Sequence, residues 1–187
     1  MAKLIYAAIA SLDGSIADED GNFEWAAPDE EVHTFVNELE RPNGTFLLGR
    51  RMYEVMSWWE TVELSADEPP AIHDYAAIWR DADKIVYSSS LDSVSTSRTR
   101  LERAFDPEAI RALKASAARD ISIGGPELAA AAFEAGLIDE FWLVLQPIIV
   151  GGGTPALPSH LRVPLELIDE RRFTRGAVYL RYRITAA

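Results

Sequence analysis

Apolar positions along this chain recur with two periods, and each change of period marks a predicted element. Lys3–Ala10 is rich in β-branched and aromatic residues and closes on the turn Ser11-Leu12-Asp13-Gly14, so the apolar start reads as a first strand rather than a leader. A polar loop follows through Asp18-Glu19-Asp20-Gly21-Asn22. From Pro28 the period lengthens: Val32, Phe35, Val36 and Leu39 fall at i, i+3, i+4 and i+7, the apolar face of a helix ending near Arg41-Pro42-Asn43-Gly44. Thr45–Leu48 predicts a short buried strand that runs into Gly49-Arg50-Arg51, and Met52, Val55 and Met56 continue as a helix. The stretch from Ser57 to Pro70 reads as an irregular surface connection before a helix at Ala71–Trp79. Asp83–Tyr87 is a strand closed by Ser88-Ser89-Ser90, and Ser97–Ala104 pairs as another.

In the second half, Asp106 and Pro107 are a helix start, with an acidic N-cap and proline at the first helical position. Asp120–Ile123 is a strand ending in Gly124-Gly125, and a helix runs from Pro126 to Ala135 and stops at Gly136. Then the pattern changes. Glu140–Val150, Leu165–Phe173 and Ala177–Thr185 are three strands with no helix between them, so this part is predicted to be antiparallel. Strands alternating with helices predict an α/β sheet covered on both faces. Phe141, Trp142 and Leu143 are consecutive, too continuous for a strand with one wet face, which predicts a homodimer burying them.

Composition narrows the function classes. The chain has 187 residues, 48% of them hydrophobic, which fits one packed domain over 1–187. A formal charge of −12 argues against nucleic acid as a partner, and the absence of cysteine excludes disulfides, a thiolate nucleophile and thiolate metal sites. No apolar run reaches the roughly 20 residues a membrane helix needs, so a cytoplasmic-type protein is expected. His33, His73 and His160 lack metal-ligand spacing, and no nucleophile-elbow serine motif occurs. Gly151-Gly152-Gly153 follows a strand but opens no helix, so it reads as a turn rather than a dinucleotide fingerprint. Arg98, Arg100 and Arg103 read as a solvated face.

Three strand ends carry small residues that open a helix or a tight turn: Gly49-Arg50-Arg51, Ser88-Ser89-Ser90 and Gly124-Gly125-Pro126. Ligands of open α/β sheets bind outside such ends, and helix N-termini offer free N–H groups and a positive dipole end to phosphate. The order of motifs is then recognisable. Ser11–Ala17, Leu48–Glu54, Gly124–Leu128, Ala135–Glu140 and Pro147–Gly153 together resemble the dihydrofolate-reductase-like family, in the branch of the C-terminal reductase domain of the bifunctional riboflavin-biosynthesis deaminase-reductase. The resemblance implies a three-layer sandwich, a mostly parallel central sheet with an antiparallel C-terminal hairpin, and NADPH bound across the strand ends.

Carried over by motif position, the resemblance puts Ala8, Ile9 and Ile16 near the nicotinamide and Gly49, Arg50 and Arg51 at the phosphates. It puts Ser88, Ser89 and Ser90 near the adenosine 2′-phosphate and Gly124, Gly125, Pro126 and Glu127 under the pyrophosphate. Met52 stands where dihydrofolate reductases carry a phosphate-binding Thr, and Glu127 where a cation would suit a polyanion better. On the substrate side, the Trp25 to Pro28 spacing points to Glu30, whereas helical register with Phe35 points to Glu31. Both also read as a negative first turn stabilising the helix dipole. Asp13 lies in the loop that the family places over the nicotinamide. Trp58, Trp59 and Tyr75 suggest an aromatic-walled substrate pocket, with no basic motif for a ribityl phosphate between Trp58 and Arg80. The expectation is an NADPH-dependent reductase of a small pterin- or pyrimidine-like heterocycle. The alternative is a nucleotide-binding member of the fold that senses or assembles without turnover.

Overall fold

The structure, a computed structural model, describes residues 1–185. β1 (Leu4–Ser11) lies inside an eight-stranded sheet because its side chains are apolar on both faces. Leu4, Tyr6 and Ala10 enter one core, and Ile5 enters a second on the other face. β2 (Ser15–Ala17) follows, then a single turn of 3-10 helix at Glu24–Ala26. α1 (Glu30–Glu40) starts two residues later than Pro28 predicts, because Asp29 caps it by accepting the Val32 amide at 3.0 Å.

β3 (Asn43–Gly49) takes in Asn43 and Gly44, expected in the preceding turn; Asn43 is buried, pairs with Asp120 and donates to Glu40 at 2.9 Å. α2 (Arg50–Met56) continues directly from it. The stretch expected to be irregular forms a further turn of helix, α3 (Trp58–Thr61), held where the Glu60 carboxylate accepts from the Trp79 indole at 3.1 Å and from Ser97. α4 (Pro70–Asp81), β4 (Asp83–Tyr87), β5 (Thr99–Glu102), α5 (Pro107–Ser116), β6 (Asp120–Gly124) and α6 (Pro126–Glu134) follow as the periods predict.

β7 (Glu140–Gln146) stops at Pro147, short of the predicted Val150. The two-residue β8 (Thr154–Pro155) pairs with β2, and β9 (Leu165–Arg172) and β10 (Val178–Ile184) form the terminal hairpin. Sheet order is β5-β4-β3-β6-β1-β7-β10-β9, parallel from β5 through β7, with β10 antiparallel to both neighbours. α5 and α6 pack on one face, through Ile110, Leu128 and Phe133. The other face is covered by α1, through Val32 and Val36, and by α4, through Ile78 and Trp79. This is the expected three-layer sandwich. The run Phe141–Val144 is buried within one chain, between the two cores, and so carries no argument for a second copy. No helix among the described residues is long and apolar enough to cross a membrane.

Candidate cofactor and substrate site

The feature that opens a site is a divergence of two central strands. β1 is registered with β6 only as far as Tyr6↔Ile123, yet stays paired with β7 to Ser11↔Gln146. The Lys3 carbonyl accepts from the Ile121 amide on the β6 side, and the Leu4 carbonyl from the Asp139 amide on the β7 side. Alternation therefore turns the backbone of Ile5, Ala7 and Ile9 towards β6. Beyond the end of β6, the Ile9 N–H and C=O face a gap. Ala8, expected beside Ile9 in the same role, has its backbone turned to β7 and its side chain against the first core. Ile16 packs on that core from β2.

Two strand-to-helix turns meet at this gap. A Cβ on Gly124 would come within 3.3 Å of Met52 Cγ, and one on Gly125 within 3.9 Å of the Gly49 nitrogen. Gly125 also has φ +95°, a left-handed conformation that glycine adopts without strain. The N-caps of α2 and α6 are Gly49 and Gly125, and neither helix has a side-chain cap. First-turn amides thus converge on one crevice, a receptive site for an anion. Met52 fills the space between the turns apolarly. Arg50 is paired with Glu54 at 3.0 Å, Arg51 is exposed, and Pro126 and Glu127 form the first turn of α6.

After β4, the buried Ser88 hydroxyl accepts from the Ser90 and Leu91 amides at 3.2 and 3.0 Å, while Ser89 and Ser90 are exposed. Arg103 is exposed, as expected, and also donates to the Ser88, Leu91 and Asp92 carbonyls, which holds this loop in shape. A guanidinium bound to three carbonyls has no sequence signature separable from Arg98 and Arg100, which pair with Asp83 and Glu102.

The substrate side follows from the layers. α1 overlies β1 and β7 and α4 overlies β3 and β4, so β6 lies beneath the line along which the two helices meet. At 100° per residue, α1 turns Val32 and Val36 to the sheet, Glu31 and Phe35 to the terminal hairpin, and His33 and Asn37 to α4. Glu31 accordingly accepts from the Thr174 amide at 3.0 Å and from Arg171 at 3.4 Å, and the Thr174 contact, first of all, holds its carboxyl below the usual range. Glu30 is exposed in the first turn. Asp13 accepts from the Ser11 hydroxyl and from the Gly151 amide at 2.8 Å and the Val150 amide at 3.2 Å, which together lower its pKa. Both engaged carboxylates thus act first as loop fasteners.

Trp25 donates to the Asn22 carbonyl at 3.1 Å and lines a depression of about 240 Å³ with Gln146, Pro147 and Arg175, at the ends of β7 and the hairpin. Trp59 lies elsewhere, edge-on to Trp58 and tilted against Tyr75, each at 4.8 Å between ring centroids, with the His33 ring 5.9 Å from both Trp59 and Tyr75. His33 is the member of this cluster that sequence reasoning missed; its signal was its place one turn before Asn37 on the face turned from Phe35. Among the described residues, no group of three or more His, Asp or Glu side chains gathers as a metal-holding cluster.

Comparison with known proteins gives the family and the fold. The family model described as RibD C-terminal domain matches residues 2–179. The chain is 25% identical to the uncharacterized protein YyaP of Bacillus subtilis (strain 168), over 96% of this chain and 94% of that one. A solved structure from Shewanella sp. PV-4, of a protein named for riboflavin biosynthesis, superposes with TM-score 0.77 at 20% identity, covering 100% of both chains. Dihydrofolate reductase from Enterococcus faecalis, solved with NADP(H), superposes with TM-score 0.66 at 18% identity, covering 98% of this chain and 97% of that one. At these identities the two structures establish the dihydrofolate-reductase-like fold.

Proposed function

This chain belongs to the RibD C-terminal domain family, and from that premise we propose that it is an NADPH-dependent reductase of a small pterin- or pyrimidine-like heterocycle. The observation that carries the reading is the gap beyond β6. There the Ile9 backbone, the Gly124-Gly125 turn and the uncapped starts of α2 and α6 face the same space. These residues fit a dinucleotide: Ile9 offers a donor and an acceptor to a carboxamide, and the two glycines leave room for backbone to approach a pyrophosphate. Arg50, Arg51 and the Ser88–Ser90 loop supply the remaining polar contacts, and Arg103 shapes that loop.

Bound NADPH supplies a hydride, so a C=N or C=O bond gains hydride at carbon and a solvent proton at nitrogen or oxygen, leaving NADP⁺. The chain's own task is to hold two rings in contact and keep water out. Ala7 and Ile9 line the floor, Trp25 guards one end of the mouth, and Glu30 is the carboxylate left without a structural partner. The engagement of Asp13 and Glu31 favours a second reading, binding without turnover.

Titrating NADPH against the fluorescence of the five tryptophans tests both. Quenching together with loss of reduced nicotinamide on adding dihydrofolate or the riboflavin pyrimidine intermediate supports the reductase. Quenching without consumption over a heterocycle panel favours the second reading, and no quenching sinks both. Arg50→Ala is expected to weaken NADPH about tenfold more than NADH, the scale of one charge-assisted phosphate contact. Equal losses would move Arg50 to the pyrophosphate shared by the two cofactors.

A further inference from the structure

A histidine stands where α1 meets α3 and α4, and the proposed reaction has not used it. Val32 and Val36 fix the sheet-facing side of α1, so His33 lies at the corner between sheet and α4, one turn before Asn37. Trp59 from α3 and Tyr75 from α4 frame its ring. Further down the same side the polar groups are committed: Asn37 donates to the Ala71 carbonyl and to Asp74, each at 2.8 Å, and Arg41 grips both Asp74 oxygens. The His33 ring makes no hydrogen bond among the described residues, unlike the His73 ring, which bonds the Ser65 carbonyl.

We propose that His33, framed by Trp59 and Tyr75, is the hydrogen-bonding contact to the heterocyclic ring of the substrate, which it recognises as a planar, uncharged ring bearing a carbonyl or ring-nitrogen acceptor. The inference rests on the reductase reading above and assigns a residue and a ring class to its substrate site. Two aromatic faces offer stacking, and a half-buried imidazole offers one directed N–H beside them. The groups facing the His33 ring are Trp59, Tyr75 and Asp74. Arg41, two turns further along the same side of α1, is paired with Asp74 at 2.7 Å and so offers no free charge to a phosphate. Burial lowers the imidazole pKa, only partly offset by Asp74, which favours the neutral ring with its one donor.

The test uses lumazine, an uncharged pteridinedione at neutral pH, with NADP⁺ present. The three imidazole proton resonances are followed by NMR and assigned with His33→Gln. Lumazine is expected to move the His33 signal and leave His73 and His160 in place. His33→Phe, which keeps a ring between Trp59 and Tyr75, is expected to bind lumazine about tenfold more weakly and NADP⁺ within twofold of wild type. His33→Gln, which keeps an N–H, should recover part of that loss. Lumazine binding with the His33 signal unmoved, or undiminished in His33→Phe, overturns the assignment. NADP⁺ binding without lumazine binding overturns the ring class. Failure to bind NADP⁺ overturns the reductase reading itself, a separate result.

Discussion

Glu140→Ala is expected to lower the free energy of unfolding by about 3–5 kcal/mol, the scale on which breaking a buried ion pair destabilises a protein. Glu140 begins β7 and is only 2% exposed. One carboxylate oxygen accepts from Lys3 on the chain leading into β1 at 2.7 Å, and the other from Arg181 of β10 at 2.9 Å. Burial alone would raise this carboxyl's pKa, but the Lys3 and Arg181 contacts outweigh it and leave the group below its usual range. Alanine removes the anion and strands two cations. Lys3 is half-exposed and regains water, whereas the Arg181 side chain is 25% exposed and does not. Urea unfolding measures the loss. Pairing Glu140→Leu with Arg181→Met should restore most of it, because the unpaired charge goes with its partner. A loss under about 1 kcal/mol would mean that the triad is solvated.

Glu40→Gln is expected to act in the opposite direction, increasingly as pH rises from about 4.5 to about 7. Glu40 ends α1, buried between the helix and Ser122 of β6, and burial pushes its carboxyl up to about 7 against the partial opposition of Asn43 and Ser122. Tyr75 also faces it, and burial first and Glu40 second raise that phenol's pKa. The folded state therefore holds the Glu40 proton more tightly than the unfolded chain, where an ordinary glutamic acid titrates at 4.5. Its contribution is fully present below pH 4.5 and is lost as pH rises to about 7, in all roughly 3 kcal/mol at about 1.4 kcal/mol per pKa unit. Glutamine keeps the neutral shape and never ionises. The variant should match wild type at pH 4 and exceed it by up to about 3 kcal/mol at pH 8. Urea midpoints across that range decide it, and parallel curves for the two proteins would place Glu40 in contact with water.

The sheet and its helices were legible because burial on two faces leaves a plain trace. The LIYAAIAS run of β1, the Val32/Val36 stripe of α1 and the Asp106-Pro107 start of α5 each state their own geometry. Less legible was what depends on distant partners. Asn43 joins a strand because Glu40 and Asp120 receive it, and α3 forms because Trp79 and Ser97 hold Glu60. In the site, motif order pointed to the Gly49 and Gly124-Gly125 turns, which do converge. Choosing among Asp13, Glu30 and Glu31 needed the third dimension. Asp13 reaches an amide 138 positions away and Glu31 one 143 positions away, contacts that no local period encodes.

The position of β1 between β6 and β7 also bears on how the chain is made. β1 is synthesised more than a hundred residues before either of its sheet neighbours, since β6 begins at Asp120 and β7 at Glu140. At roughly 5–20 residues per second, an apolar segment at the N-terminus waits on the order of ten seconds for either edge to be paired. Over that interval β1 is exposed as a chaperone target, and β3, β4 and α4 form the part of the sheet able to assemble without it.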